Sequence, residues 1–600
     1  MKQITRQVHS KLVARIRLPL VLGLWLIVVS TGVTLPAAAA SVGQWDLHEV
    51  VLTSSKTYSN PFTGVSVFAD FTSPSGQPKR VYGFYDGNGS GGQGNLWKIR
   101  FMADEVGTWQ WVTVASDSSN NGLHSKSGSF KIVQSELPGP VAPSDDSPTS
   151  WRHANGRRVL WSLGYAKYLA AADQAHPTVG GWQGYLDWLQ QHRFNGVFFV
   201  LQPTGINTCS TCWDGIAPWT ALDGEPAPRW GRKLNNSVDY YVTPWAKSGS
   251  PNDFGDSASA VDYRRFYLPL WQNIDAIVKE MQRKGMIAHV VMYNDESFYP
   301  VESSADERRY WDYVIRRLGG YWNVVYNDGV DLFEYRSAGW VEEWQQYFEN
   351  KDPFGHARSS RHGDDDSALA THRSVQAANQ TAPTSVGAWR NILAKTPAKP
   401  VTEDDGIRAE KGSGIPPERF RQLAWWSVLA GPGAFGANWA GSFEPGNWFA
   451  NLDAGAEGLS FVEHRTRFLL DFDLEDQLMV PFWKLDVHDE LVTGTNVYCV
   501  AEPGKHYLIY LDEGAPTKTT VDLGDTTKVL PGVWLDPDTG ARQAAGSFTP
   551  GTSRTFTSPF GSPAVLYIGE GEDGGPAEFN LVFFDGFELG NTSSWTSTIN

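Results

Sequence analysis

The sequence predicts an α/β fold, a (β/α)8 TIM barrel flanked by N-terminal and C-terminal β-sandwich domains. Three observations carry this. Between residues 151 and 486 short apolar runs alternate with amphipathic helical segments, as in successive βα units. Eight such runs fall in that stretch, the strand number of a closed parallel barrel. On either side the chain turns to short alternating strands separated by Gly, Pro, Asn and Ser, the pattern of β-sandwiches.

Taken in order, residues 1–40 read as a secretory signal peptide. Lys2, Arg6, Lys11, Arg15 and Arg17 precede an apolar run over 18–33, and Ala38, Ala39 and Ala40 offer a small-residue cleavage site. The run is short for a membrane span and is broken by Ser30, Thr31 and Gly32, so a retained anchor is the weaker reading. The mature chain is expected outside the cytoplasm, secreted, periplasmic or at the cell surface, with no stable membrane insertion. Residues 43–135 form the N-terminal sandwich, with strands at 65–71, 79–85, 96–102, 107–114 and 127–133. The Pro-, Ser- and Asp-rich segment 136–150 reads as a linker.

The barrel, 151–486, takes strands at 159–164, 196–201, 287–293, 323–330, 357–360, 370–375, 400–403 and 433–438, with helices around 182–192, 267–284 and 308–318. The Gly-, Pro- and Trp-rich insertion at 203–262 is then a loop on the active-site rim. Strands at 496–500, 506–510, 519–523, 533–535 and 565–568 build the second sandwich, 487–570, and residues 571–600 form a tail.

Composition excludes several functions. A net charge of −16 without a basic stripe argues against nucleic acid or an anionic membrane as partner. The close pair Cys209 and Cys212 fits a local disulfide better than a metal site, because no nearby Cys or His completes a zinc centre; Cys499 reads as a buried small hydrophobe. Asp364, Asp365 and Asp366 lack the alternating spacing of a calcium loop and read as a solvated charge run. No metal and no cofactor is expected.

Two strands end in acids. The run NVVYNDGVDLFE at 323–334 passes from Val324 and Val325 to Asp328, Asp331 and Glu334, and KPVTEDDG at 399–406 leads from Val401 into Glu403, Asp404 and Asp405. In a parallel barrel chemistry sits where the strands end. Glycosidic cleavage needs a proton donor at the leaving oxygen and an anion at the sugar carbon, so two facing carboxyl groups suffice, about 5–5.5 Å apart when configuration is retained. Asp331, Glu334 and Glu403 are the candidates. The bland alternative is that such acids cap loops or pair with Arg336 and Arg408.

Asn294, Asp295 and Glu296 follow the third strand and either bind sugar hydroxyls or cap a helix. Arg361 and His362, after the fifth, either orient substrate and hold a carboxylate ionised or lie in a plain surface loop. Of 26 Trp, Trp161, Trp213, Trp219, Trp439 and Trp448 are the candidates for stacking on sugar rings, against a core role for each.

NVVYNDGVD at 323–331 resembles the fourth-strand motif of the apiosidase-like glycoside hydrolases, and KPVTE at 399–403 with RQLAWWSVLAG at 421–431 resembles their seventh strand and eighth helix. WDLHE at 45–49, RVYGFYD at 80–86 and GTW at 107–109 resemble the domain ahead of the barrel in that family, and YCVAEPG at 498–504 with WLDPDTG at 534–540 a C-terminal domain type named for collagen binding. The resemblance implies a glycoside hydrolase with Glu403 as nucleophile and Asp331 as acid/base. Where the family has Gly-Gly-Asp, this chain has Gly329-Val330-Asp331 followed by Glu334, so Glu334 stays a second acid/base candidate. The expected partner is a polysaccharide or oligosaccharide. The rival reading is a non-catalytic carbohydrate-binding or adhesion protein on a decayed barrel. A peptidase is weaker, for want of H-E-x-x-H or a Ser or Cys nucleophile motif.

Overall fold

The structure, a computed structural model, describes residues 41–166, 169–175, 181–202, 242–255, 259–294, 298–332, 335–360, 367–375, 385–402, 418–432 and 458–575, with the backbone alone of 232–233, 240–241, 403–408, 417 and 436–440. The predicted signal peptide, the Cys209 and Cys212 pair, Trp213, Trp219 and Trp448, the acidic run at 364–366 and the tail from 576 onward lie outside the described residues.

The centre is a sheet of eight strands: β1 (Ser162–Tyr165), β2 (Gly196–Val200), β3 (Ile287–Tyr293), β4 (Val324–Gly329), β5 (Arg358–Ser359), β6 (Arg373–Val375), β7 (Val401–Arg408) and β8 (Gly436–Ala440). All pairings within it are parallel. The order is β5, β4, β3, β2, β1, β8, β7, β6, so the first strand pairs with both the second and the last. Between the two ends of that order, Thr371 donates its N–H to the carbonyl of Arg358 at 2.9 Å.

Each strand except β5 is followed by a helix among the described residues: α1 (Trp182–Gln191), α2 (Leu268–Arg283), α3 (Ala305–Leu318), α4 (Ala338–Lys351), α5 (Val386–Leu393), α6 (Pro417–Leu429) and α7 (Leu459–Leu470). Local chemistry sets their starts. The Ser304, Ser337 and Ser385 side chains accept the first free N–H groups of α3, α4 and α5, and α3 adds acids in its first turn and arginines in its last.

Alternation along the strands divides the apolar residues between two faces. Ala288, Val290 and Met292 of β3 join the large cluster under the helices. Ile287 and Val291 point the other way, into two small clusters on the inner face. One, at the amino-terminal end of the strands, holds Trp151, Trp161, Leu163, Ile287 and Val325; the other, toward the carboxyl end, holds Tyr165, Phe198, Val200, Val291 and Val330.

All eight expected strands are present, the fifth and sixth as fragments of two and three residues. The first begins later than expected. Val159 instead pairs with Trp151 in an antiparallel sheet of Val141–Pro143, Trp151–His153 and Arg158–Val159. The segment expected as a free linker therefore contributes a strand, and its Ser144, Ser147 and Ser150 are buried.

Before the central sheet, a five-stranded sheet and a three-stranded sheet share a core in which Phe71 and Phe101 stack with centroids 4.0 Å apart. After it, a six-stranded antiparallel sheet packs with a two-stranded one over a separate core. That core buries Cys499, a free cysteine as expected. No described helix is long and apolar enough to cross a membrane.

Candidate active site

Because the strands run parallel, the acid-tipped segments at 323–331 and 400–405 leave the sheet at the same end. β4 supplies the first. Asn327 turns inward and donates to Ser359 of β5 at 3.0 Å, while its carbonyl oxygen Oδ1 accepts the N–H of Gly329 at 3.0 Å. Asp328 is fully buried, Val330 packs in the upper inner cluster, and Asp331 emerges half-buried at φ +49°. That left-handed conformation is uncommon outside glycine, though Asp adopts it more readily than most residues. Strain of this kind persists where the surroundings over-determine it.

The surroundings do. The N–H of Val330 donates to the carbonyl of Tyr293 at 3.0 Å, and its own carbonyl accepts the Tyr335 hydroxyl at 2.7 Å. Tyr335 stacks parallel on Tyr299 at 4.4 Å, and the Tyr299 hydroxyl donates to the carbonyl of Asn294 at 2.8 Å. The tips of β3 and β4 are thereby tied together.

Gly329 is required by close approach. A Cβ there would stand 2.7 Å from Leu332 Cδ2, 2.8 Å from the Tyr335 hydroxyl and 3.1 Å from Tyr293 Cβ. Gly329→Ala is expected to cost about 1–3 kcal/mol of stability, the range for overpacking. It should also cut turnover about 10-fold or more by displacing the Asp331 loop. A thermal melt beside steady-state kinetics checks both, and wild-type turnover would refute the second.

β7 supplies the other segment. Glu403 pairs with Val375, the last residue of β6, and with Ala437 of β8, and the register with β8 shifts between Glu403 and Ile407. The Glu403 side chain lies outside the described residues, as do Glu334, Asp295, Glu296, Arg361, His362 and the side chains of Arg408 and Trp439.

Asn294 is buried at the end of β3. It does not cap the next helix, whose N-cap is Ser304. Trp161, expected among the stacking residues, is a correction. It precedes β1 at the amino-terminal end of the sheet, away from the acids. It is 1% exposed, against Trp151 at 4.8 Å and edge-on to His289 at 6.1 Å, with no face left for a sugar.

Arg336, the partner that the bland alternative gave to the strand-end acids, pairs with Glu307 of α3, at 2.8 and 3.2 Å. The sequence shows Ser304 and Glu307 at capping-box spacing, which sends the glutamate back to the helix start. Its Oε2 does accept the N–H of Ser303 at 2.6 Å, yet Oε1 serves Arg336 and the Tyr293 hydroxyl. Burial pushes the Glu307 carboxyl up, with Arg336 pulling against it. No spacing rule reveals this link, since Glu307 lies in the first turn of α3 and Arg336 in the loop after β4.

Residues 178–456 match the apiosidase-like catalytic-domain family, and residues 41–116 match a domain family of unknown function, DUF5060. No curated protein matches the chain. The fold is similar to that of a candidate glycoside hydrolase from Bacteroides vulgatus ATCC 8482, with TM-score 0.64 and 17% identity over 88% of this chain and 99% of that one. A glycoside hydrolase family 5 structure from the same organism gives TM-score 0.50 and 16% identity over 73% of this chain and 95% of that one. At such identities these structures speak for the fold, and the family match speaks for the chemistry. Residues 178–456 are therefore an apiosidase-like catalytic domain, and the chain that carries them is a glycoside hydrolase.

Proposed function

We propose that this enzyme is exported and cleaves O-glycosidic bonds of a polysaccharide with retention of configuration, Glu403 attacking the sugar carbon and Asp331 serving as acid/base. Glu334, three residues further on, is the alternative proton donor. The eight strands close as a (β/α)8 barrel between two β-sandwiches. Closure is supported by the pairing of β1 with β8 and by the bond from Thr371, two residues before β6, to Arg358 of β5. Export is supported by the basic and apolar pattern of residues 1–40.

The observation that carries the catalytic reading is the parallel sheet, whose β4 and β7 bring two acid-bearing segments out at one edge. In the first step a Glu403 oxygen bonds to the anomeric carbon as the glycosidic bond breaks, and the leaving oxygen takes the proton of Asp331. In the second, Asp331 removes a proton from water, which attacks the same carbon and frees Glu403. No metal or redox partner enters either step.

The family name puts apiose-bearing glycans and aryl apiosides first on a panel of plant polysaccharides. Proton NMR of the first-formed sugar reads the stereochemistry directly. The anomer released before mutarotation is expected to keep the configuration of the bond cleaved. Release of the opposite anomer would rule out a covalent Glu403 intermediate and require a wider separation, about 6.5–9.5 Å, between the carboxyl groups.

A further inference from the structure

We propose that Arg336 is a positioning residue, which with Glu307 and Tyr335 clasps the loop after β4 onto the loop after β3 and so fixes the backbone that carries Asp331. The inference rests on the acid/base reading of Asp331 and adds to it the device that holds that group in place.

Arg336 lies at the centre of a buried polar and aromatic knot. Its guanidinium meets Glu307 at 2.8 and 3.2 Å and also donates to the carbonyls of Tyr335 at 3.0 Å and Pro300 at 3.2 Å. It therefore bonds to its own loop, to the loop after β3 and to the first turn of α3. Four rings surround it, Tyr293, Tyr299, Tyr335 and Trp340, with centroids 5.0 to 5.5 Å from the guanidinium carbon. An arginine among ring faces is held by cation–π attraction as well as by its ion pair. Glu307, fully buried, receives the indole N–H of Trp340 at 2.9 Å and the Tyr293 hydroxyl at 3.1 Å besides Arg336. Each donor thus meets a fixed acceptor, the condition under which a buried polar network rigidifies its site.

The knot reaches the backbone of Asp331 through Tyr335. Tyr335, next to Arg336, donates its hydroxyl to the carbonyl of Val330 at 2.7 Å, and that carbonyl belongs to the peptide group that leads into Asp331. Rotation of this peptide is the motion that would release Asp331 from φ +49°. Second-layer groups of this kind tune a reaction by geometry, and a 1 Å displacement of a reacting group can cost about 10²-fold in rate.

The test uses the full chain and two variants. Tyr335→Phe removes only the hydroxyl that holds Val330. Glu307→Gln combined with Arg336→Met removes the ion pair without leaving a buried charge. Amide hydrogen exchange over residues 329–332 is the readout that a stability role elsewhere would not move. We expect it to accelerate about 10-fold or more in both variants while the rest of the central sheet keeps its protection. On an aryl glycoside, kcat of Tyr335→Phe is expected to fall about 10-fold with KM within about twofold, the sign of a group misplaced in the transition state. Unchanged exchange over 329–332 overturns the proposal whether or not a substrate is in hand. Wild-type kcat in Tyr335→Phe, with Asp331→Asn inactive, overturns the clasp and leaves the acid/base role standing. Undiminished kcat in Asp331→Asn overturns the acid/base reading and the proposal with it.

Discussion

Glu403→Ala is expected to lose about 10⁴-fold in kcat on an aryl glycoside, roughly 5 kcal/mol of transition-state stabilisation, and to recover part of it in azide. The reasoning follows the bonds. Without the carboxylate nothing attacks the anomeric carbon, and a methyl group leaves a space on that face into which azide fits. Azide then forms the bond that Glu403 would have formed, aryl oxide leaves from the opposite face with a proton from Asp331, and the product is a glycosyl azide of inverted configuration. The acid/base variant gives the opposite signature. In Asp331→Ala the glycosyl–Glu403 intermediate still forms with a good leaving group, and azide intercepts it to give a retained glycosyl azide. NMR of the two azides thus assigns the roles independently of the rates. It also decides the choice between Asp331 and Glu334, since only the true acid/base shows rescue with retention. No rescue and no loss of rate in Glu403→Ala would remove the nucleophile assignment.

The parts of this fold legible in the sequence are those governed by local repetition. Largely apolar runs at 196–201 and 287–293 mark strands buried on both faces, and Ser304, Ser337 and Ser385 stand just ahead of α3, α4 and α5 as local cap signals. Asp331 was legible for the same reason, as an acid just past a buried strand. What escaped depends on contacts between distant segments. Val159 and Trp161 look like the start of β1, yet the antiparallel partner Trp151 draws Val159 into another sheet and buries the Trp161 ring at the wrong end for a sugar platform. Similarly, 136–150 has the composition of a linker, and only its pairing with 151–153 shows that the chain is packed there. Arg336 stands beside Asp331 and Glu334 in the sequence, and its ion pair with Glu307 of α3 comes from a segment about thirty residues earlier, which local reading does not connect to it.

Asp275→Asn is expected to destabilise the protein by about 3–5 kcal/mol, the cost of breaking a buried ion pair from one side. Asp275, on α2, lies where the first β region meets the central sheet. Arg100 from the strand Leu96–Met102 grips it with two bonds of 2.7 and 2.8 Å, and Arg317 of α3 with two of 3.1 and 2.7 Å. Arg317 also reaches Asp86 at 2.9 Å, Arg100 reaches Glu49 at 3.0 Å, and Lys98 joins Asp86 and Glu49 at 3.1 and 3.0 Å. Three cations thus face three carboxylates, so the cluster is neutral as a whole. An uncharged amide at 275 leaves Arg100 and Arg317 facing each other with a net positive charge in a site where both are nearly inaccessible. Surface pairs such as Arg80 with Asp70, half exposed, contribute far less, about 0–1 kcal/mol. The pH dependence has a definite sign. Burial opposes ionisation of Asp275, but Arg100 and Arg317 outweigh it and hold the carboxyl at about 2, below its ordinary 3.8. A carboxyl lowered on folding contributes stability that is complete above the unfolded value and is lost as pH falls through the folded one. Urea midpoints of the wild type should therefore drop between about pH 4 and pH 2, and Asp275→Asn should lose that part of the slope along with its stability at neutral pH. A variant as stable as the wild type at pH 7 would mean that the first β region is held to the helices of the central sheet by apolar contacts such as Phe84 against Tyr313, with the ions adding nothing.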